Sequence, residues 1–543
     1  MVKQSPCGQG LSRVDETGTW NERTRNYPGR SVHRPHGRQP GTKEPIECAE
    51  VSRGNSSQRA RARCEGPNIK ARGVLVSRKS AVKTENLSNE SYLQEGVVRP
   101  QGPVEAFSIQ AIGTKDKISQ IHHNNLMEKV VENNNVKQAL RRVELNNGAP
   151  GIDGMQVKNL RTCLRKNWLV IKEQLLNGTY KPMPVRRVEI PKSDGGVRLL
   201  GIPTALDRFI QQAILLVLTP IYEPMFSDHS YEFRPNRNQR QAIKRAKQYI
   251  NDGMKIVVDI DLEKFFDKVN HDKLMGLIRQ KIADNRLNKL IVRYLKAGIM
   301  LNGCCVASED GVPQGGSLSP LLANIMLNKL DEELAERGHS FVRFADDCNV
   351  YVKSERAGNR VMESVTRFLE KQLKLKVNTA KSAVAHPWER KFLGFSFTTE
   401  EEVRVCIAPK SIERFKERIR QLTARNWGIS LEERIKKLNQ YLIGWMGYFG
   451  FVQIPRIFKE LDGWLRRRMR MCLLKHWKNP NTIRRNLIAL GISQEWAASI
   501  GGSGKGWWRL ASTRQMHAAC DNRFWTQQGL ASLVERYDGI AHA

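Results

Sequence analysis

Two short segments of this 543-residue chain carry acids in positions where acids can do chemistry. The first, KIVVDIDLEKFFD over 255–267, is a β-branched apolar run that ends in carboxylates. A buried strand of this composition delivers Asp261 to the rim of a sheet. The second, SFVRFADDCNVYV over 340–352, reads as two apolar strands with Asp346 and Asp347 at the turn between them. A strand-terminal Asp is most often a helix cap, and turns favour Asp, so neither segment decides alone. Two adjacent carboxylates on one tight turn repel, however, and need a cation. If the two strands lie side by side, Asp261 meets Asp346. Two or three carboxylates then suit Mg2+, a hard ion that prefers oxygen and keeps room for substrate phosphates. Two such ions about 4 Å apart can clamp the attacking and leaving oxygens of a phosphoryl transfer.

The elements around these acids have legible periods. Leu126, Val130, Val131, Val136, Leu140 and Val143 give helical segments with one apolar face. The segment NGAPGIDG over 147–154 breaks them. Strands are expected over 186–191 and 197–202, joined by a tight turn at SDGG, 193–196. A helix follows from about Asp207, with Phe209, Ile210, Ala213, Ile214, Val217, Leu218 and Ile221 facing inward. Strand and helix alternate from Lys255 to Phe397, and beyond Ser411 the pattern becomes almost all helical and strongly basic. The fold class expected is α+β followed by an all-helical domain.

Taken together, and in this order, the segments resemble the reverse transcriptases. FADD, 344–347, is similar to that family's Y/F-x-D-D box, with Phe344 where Tyr is commoner. The resemblance implies a right-hand polymerase of fingers, palm and thumb. It makes Asp261, Asp346 and Asp347 the catalytic acids and adds the backbone carbonyl of Leu262 to the metal ligands. EIPKSDGGVRLLGIP, 189–203, resembles the fingers hairpin of the group II intron enzymes, with Lys192 and Arg198 reaching the triphosphate of an incoming dNTP. SYEFRP, 230–235, resembles their S-Y-G-F-R-P element, with Glu232 in place of Gly. GVPQGGSLSPLLANI, 311–325, resembles their P-Q-G box. There Pro313, Gly315 and Gly316 are expected against the template, the glycines letting backbone approach a base, and Gln314 against the nucleotide. Phe266, five residues after Asp261, takes the place of the ring that excludes a 2′-hydroxyl. LKLKVNTAKS, 373–382, brings Lys381 near the leaving pyrophosphate. Phe392, Leu393 and Gly394 resemble the primer-grip turn. The 147–154 segment is similar to the N-terminal extension of group II intron and related non-retroviral enzymes. Each charged residue here also has a plainer reading as ordinary surface, and one of Phe265 and Phe266 is expected to be simple core.

Behind the polymerase, Ser411–Leu422 and Leu431–Trp445 read as amphipathic helices with Arg and Lys outside. LDGWLRRRMR, 461–470, places Arg466, Arg467, Arg468 and Arg470 on about three helical turns. This stretch resembles the maturase-specific domain of group II intron proteins, which doubles as a thumb. The four arginines are expected to track RNA phosphates. The glycines of GGSGKG, 501–506, suggest a linker, and the remainder loosely resembles the DNA-binding end of some intron-encoded proteins. No paired cysteines support an H-N-H endonuclease. The expected organisation is a basic, disordered extension over 1–115, fingers and palm over 116–400, thumb over 401–490 and a DNA-binding tail over 491–543.

Charge sets the partner class. The chain has 89 Lys and Arg against 55 Asp and Glu, a net +34, which self-repels unless a polyanion is the usual partner. No apolar run approaches the ~18 residues of a membrane span, and the N-terminus has no signal-peptide core, so a bacterial cytoplasmic, nucleoid-associated protein is expected. The ten cysteines include no C-x-x-C pair, which leaves disulfides and structural zinc unsupported. The expected cofactor is two Mg2+ ions, with Mn2+ a substitute. The expected partners are intron RNA, RNA template, DNA primer or target, and dNTPs, with a homodimer open. The function expected is RNA-directed DNA synthesis joined to splicing and mobility of the host intron by target-primed copying. A splicing-only RNA-binding protein, and a reverse transcriptase of the retron or defence type, stand as the alternatives.

Overall fold

A computed structural model describes residues 123–191, 196–301, 304–306 and 310–541. The expected 1–115 extension, Lys192 and most of the 193–196 turn lie outside the described residues. Helices α1 (Leu126–Val130), α2 (Asn133–Asn146) and α3 (Val157–Leu176) precede strands β1 (Val185–Pro191) and β2 (Val197–Ile202). The hairpin is antiparallel, with Pro191 opposite Val197. Helix α4 (Ala205–Tyr222) starts where Thr204 caps it by accepting from the Asp207 amide, and it turns ten side chains into the core. Asn238 and Gln241 form a reciprocal capping box at the start of α5 (Gln239–Asn251).

Next come β3 (Ile256–Ile260), the single turn α6 (Phe265–Lys268), α7 (His271–Arg279) and α8 (Asn285–Leu295). Strands β4 (Ile299–Leu301) and β5 (Cys304–Val306) add to β1, giving the sheet order β2-β1-β4-β5. Helix α9 (Ser319–Glu336) is buried nearly all round, which is why its sequence shows no amphipathic period. Strands β6 (Ser340–Phe344) and β7 (Asp347–Val352) form the second hairpin, and α10 (Glu355–Phe368) crosses back over the sheet, ending in one π-helical turn, Leu369–Leu373. Strand β8 (Ala383–Ala385) completes a four-stranded sheet ordered β6-β7-β3-β8. The anticipated side-by-side pairing is present: β3 and β7 run antiparallel, with Ile256 opposite Val352 and Ile260 opposite Cys348.

After the small ladder of β9 (Phe395–Phe397) and β10 (Val405–Ile407), the described elements are all helices. The long elements are α11 (Pro409–Leu422), α12 (Leu431–Phe449) and α13 (Arg456–Trp477), followed by α14 (Pro480–Ala489) and α15 (Gln494–Gly501). Four short helices close the chain: α16 (Trp507–Leu510), α17 (Arg514–Ala519), α18 (Asn522–Gln527) and α19 (Leu533–Ala541).

The described chain has two apolar cores. One joins α1–α4 to one face of the β3–β7 sheet, and the other joins the opposite face, through Val257, Val342 and Tyr351, to the helical domain. Side chains alternating along β3 and β7 supply both, as a strand's period of two requires. The tail does not stand apart from the helices before it. Leu510, Met516, Trp525 and Leu533 lie in the same core as Phe458 and Leu465 of α13, and Gly501 is helical, so the linker shrinks to about 502–506.

Candidate active site

The expected acids come together where β3 and the β6–β7 turn end. Phe344 pairs with Asp347, leaving Ala345 and Asp346 as a two-residue loop. Ala345 has φ 53°, a left-handed conformation that costs a side-chain-bearing residue energy. Arg343 holds it there. Its guanidinium is fully buried, donates to the Ala345 carbonyl (3.0 Å) and to Asn324 Oδ1 (3.1 Å), and forms a bidentate pair with Asp331 (2.6 and 2.7 Å). Continuing the β3–β7 register by one residue sets Asp261 across from Asp347, next to Asp346.

The neighbouring loop is tied to the same strand. The Asp261 amide donates to Ser382 Oγ (3.0 Å), and the Asp261 carbonyl accepts from the Asn378 amide (2.8 Å). Lys381 is therefore beside the acids and exposed. Leu262 is buried, its backbone bridged to Val377. Asp259, two residues before Asp261 on the same face of β3, is paired with Arg390 (2.6 Å), which also donates to the Lys381 carbonyl (2.6 Å).

Electrostatics mark the acids as a set. Burial, and then the Asp261 charge, raise the pKa of Asp346, against which Arg198 and Arg343 act. Asp347 opens to solvent at the strand end. The protein around its carboxyl still desolvates it, and with Asp346, Asp259 and Asp261 nearby its pKa is pushed up to about 7. Glu232 is pushed up to about 8 by burial and then by Asp346 and Asp347. Its backbone is pinned to the site, because its carbonyl accepts from Asn324 (2.9 Å) and the next amide back, Tyr231, donates to the Arg343 carbonyl (3.0 Å).

Among the described residues no three acid, imidazole or thiol side chains close into a metal cage. The oxygen donors Asp261, Asp346, Asp347 and the Leu262 carbonyl nevertheless come from one edge, where burial and neighbouring acids raise the pKa of Asp346 and Asp347. An open, all-oxygen set fits Mg2+, which binds through one or two carboxylates and retains water and substrate oxygens.

The other expected residues gather around this edge. Arg198 Nε donates to Gln314 Oε1 (2.9 Å), and the Gln314 carbonyl accepts from the Gly201 amide (2.7 Å), so β2 is latched to the 313–316 turn. The two glycines of that turn pack closely against the protein itself. A Cβ at Gly315 would stand 2.6 Å from the Gly201 carbonyl oxygen, and one at Gly316 2.7 Å from Gln211 Oε1. Their bare backbone makes room for the protein's own strand and helix. Pro313 accepts from Ser319 Oγ through its carbonyl (2.7 Å), which fixes the turn to α9. Phe266 is half-buried with its ring edge-on to Phe265 at 5.2 Å, and its carbonyl accepts from the Val312 amide (2.6 Å). Phe265 is the core ring of the two. Phe392 pairs with Phe395 about a tight turn in which Leu393 and Gly394 have φ 52° and 80°. This turn is braced by the helical domain, since Tyr448 donates to the Leu393 carbonyl (3.0 Å) and Ser411 to that of Gly394 (3.0 Å).

The four arginines of α13 separate. Arg470 is buried, donating to the carbonyls of Ala511 (2.9 Å) and Cys520 (3.2 Å), so it cannot reach an external phosphate. This removes it from the expected RNA-binding set. Arg466 lies 3.6 Å from Asp462. Arg467 stacks over Trp508 at 4.0 Å, and Arg468 donates to Thr423 Oγ1 (2.8 Å). Sequence reasoning missed Arg343, Asp259 and Arg390. Asp259 carried a signal, since residues i and i+2 of a strand share a face; the two arginines carried none.

Residues 190–397 match the model of the reverse transcriptase (RNA-dependent DNA polymerase) family, and 412–489 match that of the group II intron maturase-specific domain. Protein YkfC of Escherichia coli K12 is 36% identical, over 44% of this chain and 72% of that protein. The group II intron-encoded protein LtrA of Lactococcus lactis subsp. cremoris is 43% identical, over 32% of this chain and 29% of LtrA. A 91 kDa protein in the cob intron of Schizosaccharomyces pombe is 35% identical, over 33% of this chain and 21% of that protein. The match thus spans less than a third of the latter two. No helix among the described residues is long and apolar enough to cross a membrane. The chain belongs to the group II intron-encoded reverse transcriptases, with a maturase-specific domain following the polymerase.

Proposed function

We propose that this chain elongates a DNA primer on an RNA template at the edge formed by Asp261, Asp346 and Asp347, and that its helical domain grips the folded intron RNA whose splicing it assists. The observation that carries the polymerase reading is the β3–β7 register, which brings acids from two separate segments to one sheet edge. Asp261, Asp346 and the Leu262 carbonyl would hold the divalent ions, with Asp347 acting less directly. Bound there, two Mg2+ ions supply charge neutralisation for the attacking 3′-oxygen and the leaving pyrophosphate.

The rest is positioning by the chain itself. Arg198, with Lys192, takes the triphosphate. Phe266 lies under the sugar and disfavours a 2′-hydroxyl, which selects dNTPs. Lys381 faces the leaving pyrophosphate. The 313–316 turn supports the template side, and the Phe392–Gly394 turn supports the primer terminus. Arg466, Arg467 and Arg468 face RNA phosphates. In the cell the substrates are intron RNA and a DNA target that provides the primer. The same reading takes Mn2+ as a substitute ion, a homodimer as an allowed assembly and the bacterial nucleoid as the place of work.

The test is primer extension on an RNA template with dNTPs and Mg2+, comparing the native chain with Asp346→Ala. Loss of a metal ligand removes several kcal/mol of transition-state stabilisation, so extension should fall on the order of a thousandfold while RNA binding persists. Native protein that binds RNA but extends no primer would instead leave the splicing role standing alone.

A further inference from the structure

A cleft of about 440 Å³ opens on the helical domain, lined by Ala424, Arg425, Asn426, Arg468, Met471 and Trp508. Its walls come from the loop after α11, the middle of α13 and the short helix α16. Two guanidiniums, one carboxamide and one indole line it, and no carboxylate does.

The walls are held in place from outside the cleft. Arg468 is half-buried, with Nε donating to Thr423 Oγ1 (2.8 Å) and Nη2 to the carbonyls of Arg420 and Thr423 (3.3 Å each). Burial lowers its pKa, and the Arg420 and Arg425 charges lower it further, so positive charge is concentrated here. Trp508 is 37% exposed. Arg467, which does not line the cleft, lies over the Trp508 ring at 4.0 Å and donates to the Trp508 carbonyl (3.2 and 3.3 Å), fixing the indole.

The volume lies in the range of small-ligand sites, and the lining discriminates among ligands. An apolar group would desolvate two guanidiniums without pairing them, at a cost of several kcal/mol. A nucleotide satisfies every wall: phosphate against the guanidiniums, a base on the indole and a base edge at the carboxamide. A base stacked within a helix cannot leave its neighbours to enter, whereas an unpaired one can.

We infer that this cleft takes one unpaired nucleotide of a folded RNA, with its base on Trp508 and its phosphate between Arg425 and Arg468. The inference rests on the RNA-gripping reading of the helical domain and adds the site and the kind of nucleotide selected there.

The experiment uses the full chain and two RNA hairpins of the same sequence, one fully paired and one with a single unpaired nucleotide, titrated by fluorescence anisotropy at fixed salt. The native chain is expected to bind the bulged hairpin about tenfold more tightly, the scale of one base–aromatic stack. Trp508→Ala should bring the ratio of affinities to about one. Trp508→Phe keeps a ring and should restore the preference, which separates lost stacking from a lost fold. Arg425→Ala should weaken binding of the bulged hairpin severalfold. A native ratio of one, or an unchanged ratio in Trp508→Ala, overturns the cleft while RNA binding itself stands. An equal gain from an unpaired nucleotide in a DNA hairpin overturns the choice of RNA. Native protein that binds neither hairpin at any salt overturns the RNA-gripping reading, and the cleft with it.

Discussion

The palm edge and the helical domain both crowd like charges together, and they treat them in opposite ways. At the palm edge the carboxylates stay close together and protonate easily: burial raises the pKa values of Asp346, Asp347 and Glu232, and neighbouring acids add to each. In the helical domain the crowded arginines have been absorbed. Arg434 is almost wholly buried and spends its fork on the carbonyls of Leu422 (2.8 Å), Ala424 (3.3 Å) and Trp427 (3.0 Å), and Arg470 does the same with Ala511 and Cys520. The difference follows from the groups. A guanidinium has five donors, and loop and helix-end carbonyls are plentiful acceptors. A carboxylate only accepts, and strand amides are already committed to the ladder. A cluster of arginines in the sequence therefore overstates the free basic surface, while acids at a strand end keep their charges unmatched by the strand's own amides.

The largest expected effect tests whether the palm edge depends on the fully buried Arg343–Asp331 pair. Asp331→Ala leaves Arg343 buried without its partner, and removing one member of such a pair costs about 3–5 kcal/mol. Chemical denaturation should show that loss, and primer extension should fall with it as the Ala345 carbonyl loses its support. Near-native stability would mean that the Arg343 pair does not hold the turn.

A smaller effect tests the absorbed arginines. Arg470→Ala strands two buried carbonyls, which costs about 1–3 kcal/mol for each group left unsatisfied. Arg467→Ala gives up a part-exposed stack on Trp508 and should cost less, about 1 kcal/mol. The two should exchange places in RNA binding. Arg467→Ala should flatten the dependence of log affinity on log salt by about one unit, whereas Arg470→Ala should leave that slope alone. If both flatten it equally, the division into structural and binding arginines is wrong.

The sequence made the acids legible because local patterns carry them. Asp261 ends an apolar run, and Asp346 and Asp347 interrupt another, so strand, turn and carboxylate appear together within a dozen residues. The β1–β2 hairpin and the switch to helices after Ser411 were readable for the same reason. What stayed hidden is contact across distance. Arg343 looks like a break in an apolar strand until Asp331, on the preceding helix, is seen against it. Arg470 looks like its three neighbours until the chain returns 41 and 50 residues later to supply its acceptors. Gly315 and Gly316 are legible as turn glycines, but only the fold shows Gly201 and Gln211 packed against them. The tail's glycines suggested separation, and Trp525 and Leu533 show burial against α13 instead.

The smallest effect probes the palm acids through pH. Asp347 titrates at about 7 and Glu232 at about 8 in the folded chain, both above their ordinary values of 3.8 and 4.5. Groups with raised folded pKa bind protons more tightly when folded, so their contribution to stability is complete below the ordinary values and is lost as pH rises through the folded ones. Metal-free protein should thus lose thermal stability as pH rises from about 5 to about 8, beyond what the rest of the chain imposes. Mg2+ should reverse this, because it binds the ionised acids, so the rise in Tm on adding Mg2+ should be larger near pH 8 than near pH 5. Asp347→Asn removes one of the repelling charges and should raise the metal-free Tm at the upper end of that window while shrinking the response to Mg2+. A response to Mg2+ that is the same at both pH values, and untouched by Asp347→Asn, would mean that the ions bind elsewhere and that the palm edge is no more in want of a cation than the helical domain is of an anion.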